Sequence, residues 1–184
     1  MMEIIRAAVS ESDPPQPHKF WNLLTSDDKS EFLKLRSTFH RSGCASGKDR
    51  RVATFRKELC SVLSFLERDQ VHREERCIVS GIAFAGPFIC VNTRQLKAFL
   101  GRCKSSINGS FQQMGYVALR TKAKARNCIT TIMKPLFKEQ AILRQWTVRC
   151  ASRGAECCFV SSFPVSSLPL VNEQDLIEDR KSVV

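Results

Sequence analysis

The sequence predicts an α+β fold that is mainly α. Three observations support this expectation: segments with apolar residues at helical spacing, short β-branched and aromatic runs beside turn residues, and a composition of 43% hydrophobic and 26% charged residues. The 184 residues suffice for one domain of ordinary size with tails, which excludes a large multidomain enzyme.

The chain lacks the sequence features of secretion and of membrane insertion. Its longest nearly apolar run, Ile82–Val91, is broken by Gly86 and Pro87 and is shorter than the roughly 20 residues that a spanning helix needs. Its first residues do not follow the order of a secretory signal, so we expect an intracellular protein. The nine cysteines contain no Cys-x-x-Cys pair, which argues against a structural zinc site and a catalytic thiol; most are expected to be small buried hydrophobes.

The N-terminal part is expected to be helical after a leader. Residues 1–17 end in a proline-rich polar stretch and predict a flexible leader, so the domain is expected to begin at residue 18. Thr25 and Ser26 are candidate N-caps for a helix that runs to about Ser42, and a second helix is expected over about Val52–Glu67. The apolar positions that define these helices are Phe32, Leu35 and Phe39 in the first, and Val52, Phe55, Leu59, Val62, Leu63 and Leu66 in the second.

Two strands and two further helices are expected next. The runs Cys77–Phe84 and Phe88–Val91 predict short strands joined by a turn, and Asn92 or Thr93 then caps a helix. A tight turn at residues 101–103 leads into a segment, residues 104–116, whose apolar side chains share one helical face. Its opposite face is polar, short and uncharged, which has a cost in helix propensity but allows close approach to the major groove and amide pairing with an adenine edge.

A basic hairpin is predicted after the polar helix. Tyr116–Leu119 and Cys128–Ile132 are expected to be strands, with a basic residue at every second position of the tip between them. A helix pair followed by such a hairpin is the order of a winged helix, so we expect a winged helix with additional N-terminal helices over residues 18–149.

The positive charge is concentrated in one interval. Of the net charge of +11, residues 88–150 account for the whole, with 12 Lys and Arg and one acid, Glu139. A field of one sign attracts a polyanion, which favours a nucleic-acid surface over a solvated basic face or an anionic membrane. The candidate DNA-binding residues are Arg94, Lys97, Arg102, Lys104, Ser105, Ser106, Asn108, Gly109, Gln112, Gln113, Arg120, Lys122, Lys124 and Arg126.

Several motifs resemble the initiator-binding domain of trichomonad initiator-binding proteins. They are Lys34–Phe39, Arg76–Ile82, Asn92–Leu96, Arg102–Gln112 with Gly115 and Tyr116, and Leu143–Trp146, within about residues 20–149. The resemblance implies a winged helix that binds the initiator element at the transcription start site, in the nucleus. It also implies a separate C-terminal domain that engages RNA polymerase II. Residues 150–184 are too few for a second folded domain, so we expect a largely disordered tail.

Other functions fit the sequence less well. A winged-helix module that docks an acidic protein, or a nonspecific architectural DNA-binding protein, is the alternative. RNA binding is a weaker hypothesis because the polar helix lacks aromatic residues for base stacking. An enzyme is the least expected class, since the basic interval holds no histidine and no phosphate-binding glycine loop, and no cofactor or metal is implied.

Overall fold

The computed structural model describes residues 18–42, 48–152 and 159–176 and has the expected α+β, mainly α architecture. The predicted leader, residues 1–17, lies outside the described residues. The helices are α1 His18–Trp21, α2 Ser26–Arg41, α3 Lys48–Leu66, α4 Arg73–Ser80, α5 Thr93–Leu100, α6 Lys104–Gln113, α7 Lys122–Ile132 and α8 Gln140–Leu143. The strands are β1 Ile82–Ala85, β2 Phe88–Asn92, β3 Tyr116–Ala118 and β4 Trp146–Ala151.

Aromatic packing joins the N-terminal helices to the helix pair α5 and α6. Phe32 of α2 stacks on Phe99 of α5 with ring centroids 4.2 Å apart, and Phe39 meets the same ring edge-on. Phe55 of α3 contacts Phe111 of α6 edge-on at 5.1 Å. The predicted helical spacing therefore gives the helices α2 and α3 one buried face, and these helices form the support on which α5 and α6 lie.

The four strands form one antiparallel sheet in the order β1-β2-β4-β3. Neighbouring residues on a strand point to opposite faces, and the pairs Ile89–Arg149 and Cys90–Val148 define the two faces. Arg149 contacts Asn108 of α6, whereas the Cys90 thiol lies beside that of Cys128 of α7. The helices α6 and α7 therefore pack against opposite faces of the sheet.

The first predicted strand begins too early. Residues 77–80 belong to α4, and strand β1 starts only at Ile82. The helix has Glu74 and Glu75 in its first turn and ends at Gly81, which has the left-handed φ of 82°. A β-carbon at Gly81 would lie 2.6 Å from the backbone nitrogen of Leu96. A short apolar run such as residues 77–84 fits both a helix and a strand. The acidic residues before it and the glycine within it indicate that its first part is the end of a helix.

The predicted basic hairpin is also wrong, because residues 122–132 form α7. The half-buried Ala125 and the buried Cys128, Ile129 and Ile132 follow the spacing i, i+3, i+4 and i+7, so a helical stripe packs on the sheet. Strand β3 pairs instead with β4, which lies about thirty residues further along the chain and was not predicted. The wing expected between the two strands is replaced by a helix and a 3-10 turn over Lys134–Lys138.

Part of the segment after residue 149 lies against the domain where the structure describes it. Cys150 and Ala151 complete β4, and two side chains beyond it, Phe159 and Leu168, are buried against the domain. Ser161 donates its hydroxyl hydrogen bond to the carbonyl oxygen of Phe84 at 2.8 Å. Apolar side chains thus attach this segment to the sheet. No helix in the described part of the chain is long and apolar enough to span a bilayer.

Candidate nucleic-acid interface

Helix α6 has one face held in the core and one face open to solvent. Ile107 and Phe111 are buried, and Phe111 lies between the rings of Phe55 and Tyr116. These contacts fix the rotation of α6 about its axis, so its opposite side faces outward. The predicted contact residues of α6 are all exposed or half-buried, and they are Lys104, Ser105, Ser106, Asn108, Gly109, Gln112 and Gln113.

Gly109 lies in the middle of this open face. A β-carbon built at Gly109 would meet no heavy atom within 4 Å. The fold therefore does not need a glycine here, although glycine costs about 0.5–1 kcal/mol relative to alanine in a helix interior. Because Gly109 has no side chain, the surface of a ligand can come close to the helix backbone at this position.

Arg149 is a residue at this site that the sequence interpretation did not include. It projects from β4 under α6, donates to Asn108 Oδ1 at 3.5 Å and to the carbonyl oxygen of Tyr116 at 3.2 Å, and lies over the Phe111 ring at 5.7 Å. Its guanidinium brings positive charge to the polar face from the side of the sheet. Its position in an unpredicted strand explains why the sequence interpretation missed it.

Arg51 is a second cation at this face that is not among the candidate DNA-binding residues from the sequence, where a solvated loop is the favoured role for residues 41–51. It lines a small cavity of ≈ 130 Å³ together with Ser105, Ser106 and Gly109. Because Arg51 is in the first turns of α3, the packing of α3 on α6 brings it to the polar face. A contact between elements more than fifty residues apart leaves no local pattern in the sequence.

Three of the predicted cations line one groove beside α6. Arg94, Lys97 and Arg102 surround a cavity of ≈ 690 Å³ between α2 and α5, with His40 on its other side. Arg94 and Lys97 are exposed. Arg102 instead donates from Nε to Glu58 Oε2 at 2.8 Å; burial raises the pKa of Glu58, and the arginine acts against that rise. Arg102 therefore also anchors the turn before α6 to α3.

The remaining predicted cations lie on α7 or just before it. Lys122 and Arg126 are exposed, and Arg126 donates to Gln140 Oε1 at 2.7 Å. Lys124 is in an ion pair with Asp175 at 2.6 Å, and Arg120 precedes the helix. The helix α7 packs on the face of the sheet opposite to α6, so the structure does not bring these residues together with the α6 face as a wing would have done.

The cysteines differ in their surroundings. Among the described residues, Cys77, Cys90, Cys128 and Cys150 are buried, and Cys60 and Cys103 are exposed. Burial raises the pKa of Cys77 to about 12, while hydrogen bonds from the Ser105 hydroxyl and the Ser106 backbone lower the pKa of Cys103. No group of three or more His, Cys, Asp or Glu side chains in the described ranges is arranged to hold a metal ion.

These features define a class of protein, a small α+β domain with an open polar helix face between cationic side chains. The family model of the transcription-initiator DNA-binding domain, IBD, matches residues 26–153, which is most of the chain. The protein belongs to this family, a family of DNA-binding domains and not of enzymes. No curated protein and no solved structure matches the chain.

Proposed function

We propose that this protein binds double-stranded DNA sequence-specifically at a core-promoter initiator element and reads it with α6 in the major groove. The observation that carries the proposal is the open face of α6, where short uncharged side chains surround a glycine that the fold does not require. Amide side chains can pair bidentately with an adenine edge, and small neighbours allow a helix to lie deep in the groove.

The cations beside α6 hold the duplex in position under this proposal. Arg94, Lys97 and Lys104 contact phosphates, since they lie in α5 and at the first residue of α6 and are exposed. Gln112 and Gln113 contact bases near the other end of α6. Phosphate contacts set orientation and affinity but carry no sequence information, whereas base contacts provide the preference.

The fold supports this arrangement in part. The helix pair α5–α6 lies between β2 and β3 as expected, but β3 pairs with β4 and not with residues 128–132. The insertion of α7 in place of the wing moves Lys122, Lys124 and Arg126 away from the α6 face. We therefore centre the proposed DNA surface on α5 and α6, with Arg51 and Arg149 as additional cations.

Selection from random duplex oligonucleotides, followed by sequencing, tests the proposal. Enrichment of one initiator-like motif is expected, and tight binding without enrichment would contradict sequence-specific reading. Gln112→Ala should then lose about 1–3 kcal/mol on the selected site only, and Lys104→Ala should weaken binding to all duplexes. Gln70→Ala changes an exposed glutamine beside α4 and is the matched control, which should leave both affinities unchanged.

Two further expectations extend this function to its cellular setting. A protein that recognises an initiator element acts in the nucleus, and fluorescence localisation of the full chain checks this. RNA polymerase II or other transcription machinery stays a partner predicted from the family resemblance. Copurification of polymerase with the full chain, compared with an Arg94→Ala and Lys104→Ala double variant, separates direct binding from bridging by DNA.

A further inference from the structure

A small cavity opens on the polar face of α6, beside the first turns of α3. Its volume is ≈ 130 Å³, well below the roughly 300–1,000 Å³ of pockets that hold free small molecules. Both helices line it, with the residues Arg51, Val52, Ser105, Ser106, Gly109, Ser110 and Gln113. Most of the lining residues of α6 are candidate DNA contacts, so a group that enters the cavity comes from the surface that α6 contacts.

Burial of the lining residues increases from the mouth of the cavity to its interior. Arg51 and Gln113 are exposed and form the mouth. Val52 and Gly109 are half-buried, and Ser110 is only 5% exposed. A β-carbon built at Gly109 would meet no heavy atom within 4 Å, so no protein atom fills the space over this part of the backbone. The cavity therefore has a donor at its mouth and both apolar and hydroxyl groups further in.

The hydroxyl of Ser110 forms no hydrogen bond with the described residues, although the residue is buried at the cavity wall. Other serines inside helices of this chain donate to the carbonyl oxygen four residues earlier, as Ser61 does to Lys57 at 3.2 Å. A buried polar group without a partner is unfavourable in a folded protein. Ser110 therefore indicates a polar partner that arrives with the ligand.

Thymine is the base whose major-groove edge fits these groups. It presents a C5 methyl group next to the O4 acceptor, whereas the edges of adenine and guanine present polar groups. Val52 and the backbone of Gly109 provide an apolar contact for the methyl group, and the Ser110 hydroxyl is a donor for O4. We propose that the cavity receives the methyl group of one thymine of the bound duplex and that Ser110 donates to its O4. This inference rests on the proposed DNA binding.

The donor at the mouth distinguishes thymine from 5-methylcytosine. The modified base carries the same methyl group, but the neighbouring group is an amino donor in place of O4. The Arg51 guanidinium is a donor without an acceptor, so it favours O4 over an amino group. Methyl contact and hydrogen-bond polarity together therefore select thymine.

The first test removes the methyl group from the DNA. Deoxyuridine replaces each thymine of the selected duplex in turn, and titration at one fixed salt concentration measures the affinity. One position should lose about 4-fold, as expected for one methyl group taken out of apolar contact. At that position 5-methylcytosine paired with guanine should bind more weakly than thymine, and equal affinity would overturn the assignment of thymine. Tolerance of deoxyuridine at every position would overturn the inference, while the selected motif would still support the proposed function.

The second test connects the sensitive thymine to the cavity. Gly109→Ala places a methyl group in the same space without a clash in the free protein, so its penalty should be smaller on the deoxyuridine duplex than on the thymine duplex. Val52→Thr replaces a methyl group of the wall by a hydroxyl and should reduce the preference for thymine over deoxyuridine. Gln112→Ala is the control outside the cavity, which lowers affinity but keeps this preference. Equal penalties of Gly109→Ala on the two duplexes would overturn the inference even if Val52→Thr failed to fold.

Ser110→Ala tests the hydrogen bond separately. Because the hydroxyl has no partner in the described part of the free protein, its removal should not lower the melting temperature. It should reduce affinity for the selected duplex about 2- to 12-fold, the usual range for one hydrogen bond. The preference for thymine over deoxyuridine should persist, since both bases carry O4. Unchanged affinity would overturn the contact with O4, and absence of duplex binding by the unsubstituted protein would overturn the proposed function and this inference with it.

Discussion

Replacement of Gly109 by alanine should stabilise the protein and weaken its binding to DNA. The position is the sixth residue of the ten in α6, and the added methyl group would meet no atom within 4 Å, so the substitution introduces no clash in the free protein. Alanine is favoured over glycine in a helix interior by about 0.8–1.0 kcal/mol. For a chain of this size that gain raises the melting temperature by roughly 2–4 °C.

The effect on DNA binding has the opposite sign. A methyl group between the α6 backbone and a base edge has to displace the duplex outward, at a cost of about 1–3 kcal/mol, which is roughly 5- to 160-fold in affinity. Gly109→Leu should enlarge the loss while keeping the fold. Thermal unfolding followed by circular dichroism and duplex titration at one fixed salt concentration measure the two effects.

Gly81→Ala is the matched control for the Gly109 substitution. At Gly81 the left-handed φ of 82° and a contact of 2.6 Å to the Leu96 backbone nitrogen make any β-carbon unfavourable. We expect a loss of about 2–4 kcal/mol in stability from strain and overpacking. If Gly109→Ala is more stable and binds the selected duplex as tightly as the unsubstituted protein, close approach of α6 to DNA is refuted.

Four further outcomes are expected. Phe32→Ala should cost about 3–5 kcal/mol in denaturant unfolding, because it removes the ring stacked on α5. Arg76→Met should cost about 3–5 kcal/mol in the same assay, because the buried guanidinium donates hydrogen bonds to the carboxylates of Asp28 and Asp69 and to three backbone carbonyl oxygens. The Asp175 contribution to stability is complete above pH of about 4 and is lost as the pH falls through about 2, which acid titration followed at the Thr121 amide resonance checks. The logarithmic salt slope of the unsubstituted protein should be about −3 to −5, from the cations beside α6, and a slope near −10 would contradict the proposed surface.

The helices with conventional ends could be predicted from the sequence. Thr25 and Asn92 accept the predicted capping hydrogen bonds from Asp28 and Gln95, and each precedes a run of apolar residues at helical spacing. These local signals also placed the polar face of α6 correctly, because Ile107 and Phe111 can only point to the core. Helix starts and the orientation of a helix face, which depend on residues within one helix, could therefore be predicted from the sequence.

The wrong predictions of secondary structure share a physical cause. Where a segment fits both a strand and a helix, its packing against distant parts of the chain decides which of the two forms. Basic residues at every second position of 120–126 fit an exposed strand, yet β3 finds its partner in β4, whose buried Trp146, Val148 and Cys150 alternate along the strand. Once β4 fills the place beside β3, residues 122–132 bury their apolar stripe on the sheet as a helix. The contacts of Arg51 and Arg149 with the α6 region are likewise produced by packing between distant elements.

The net charge of the interval 88–150 overstates the charge that one DNA surface can use. The structure divides its cations: Arg102 is paired with Glu58 under the turn, and Lys124 is paired with Asp175 on the far face of the sheet. Among the described residues, the cations beside α6 are those next to the face that we propose reads bases. Affinity from phosphate contacts is sequence-independent, so a surface with all twelve cations would bind random DNA tightly and dilute the preference set by α6. Under the proposed function, the ion pairs of Arg102 with Glu58 and of Lys124 with Asp175 lower nonspecific affinity and leave the face of α6 unchanged.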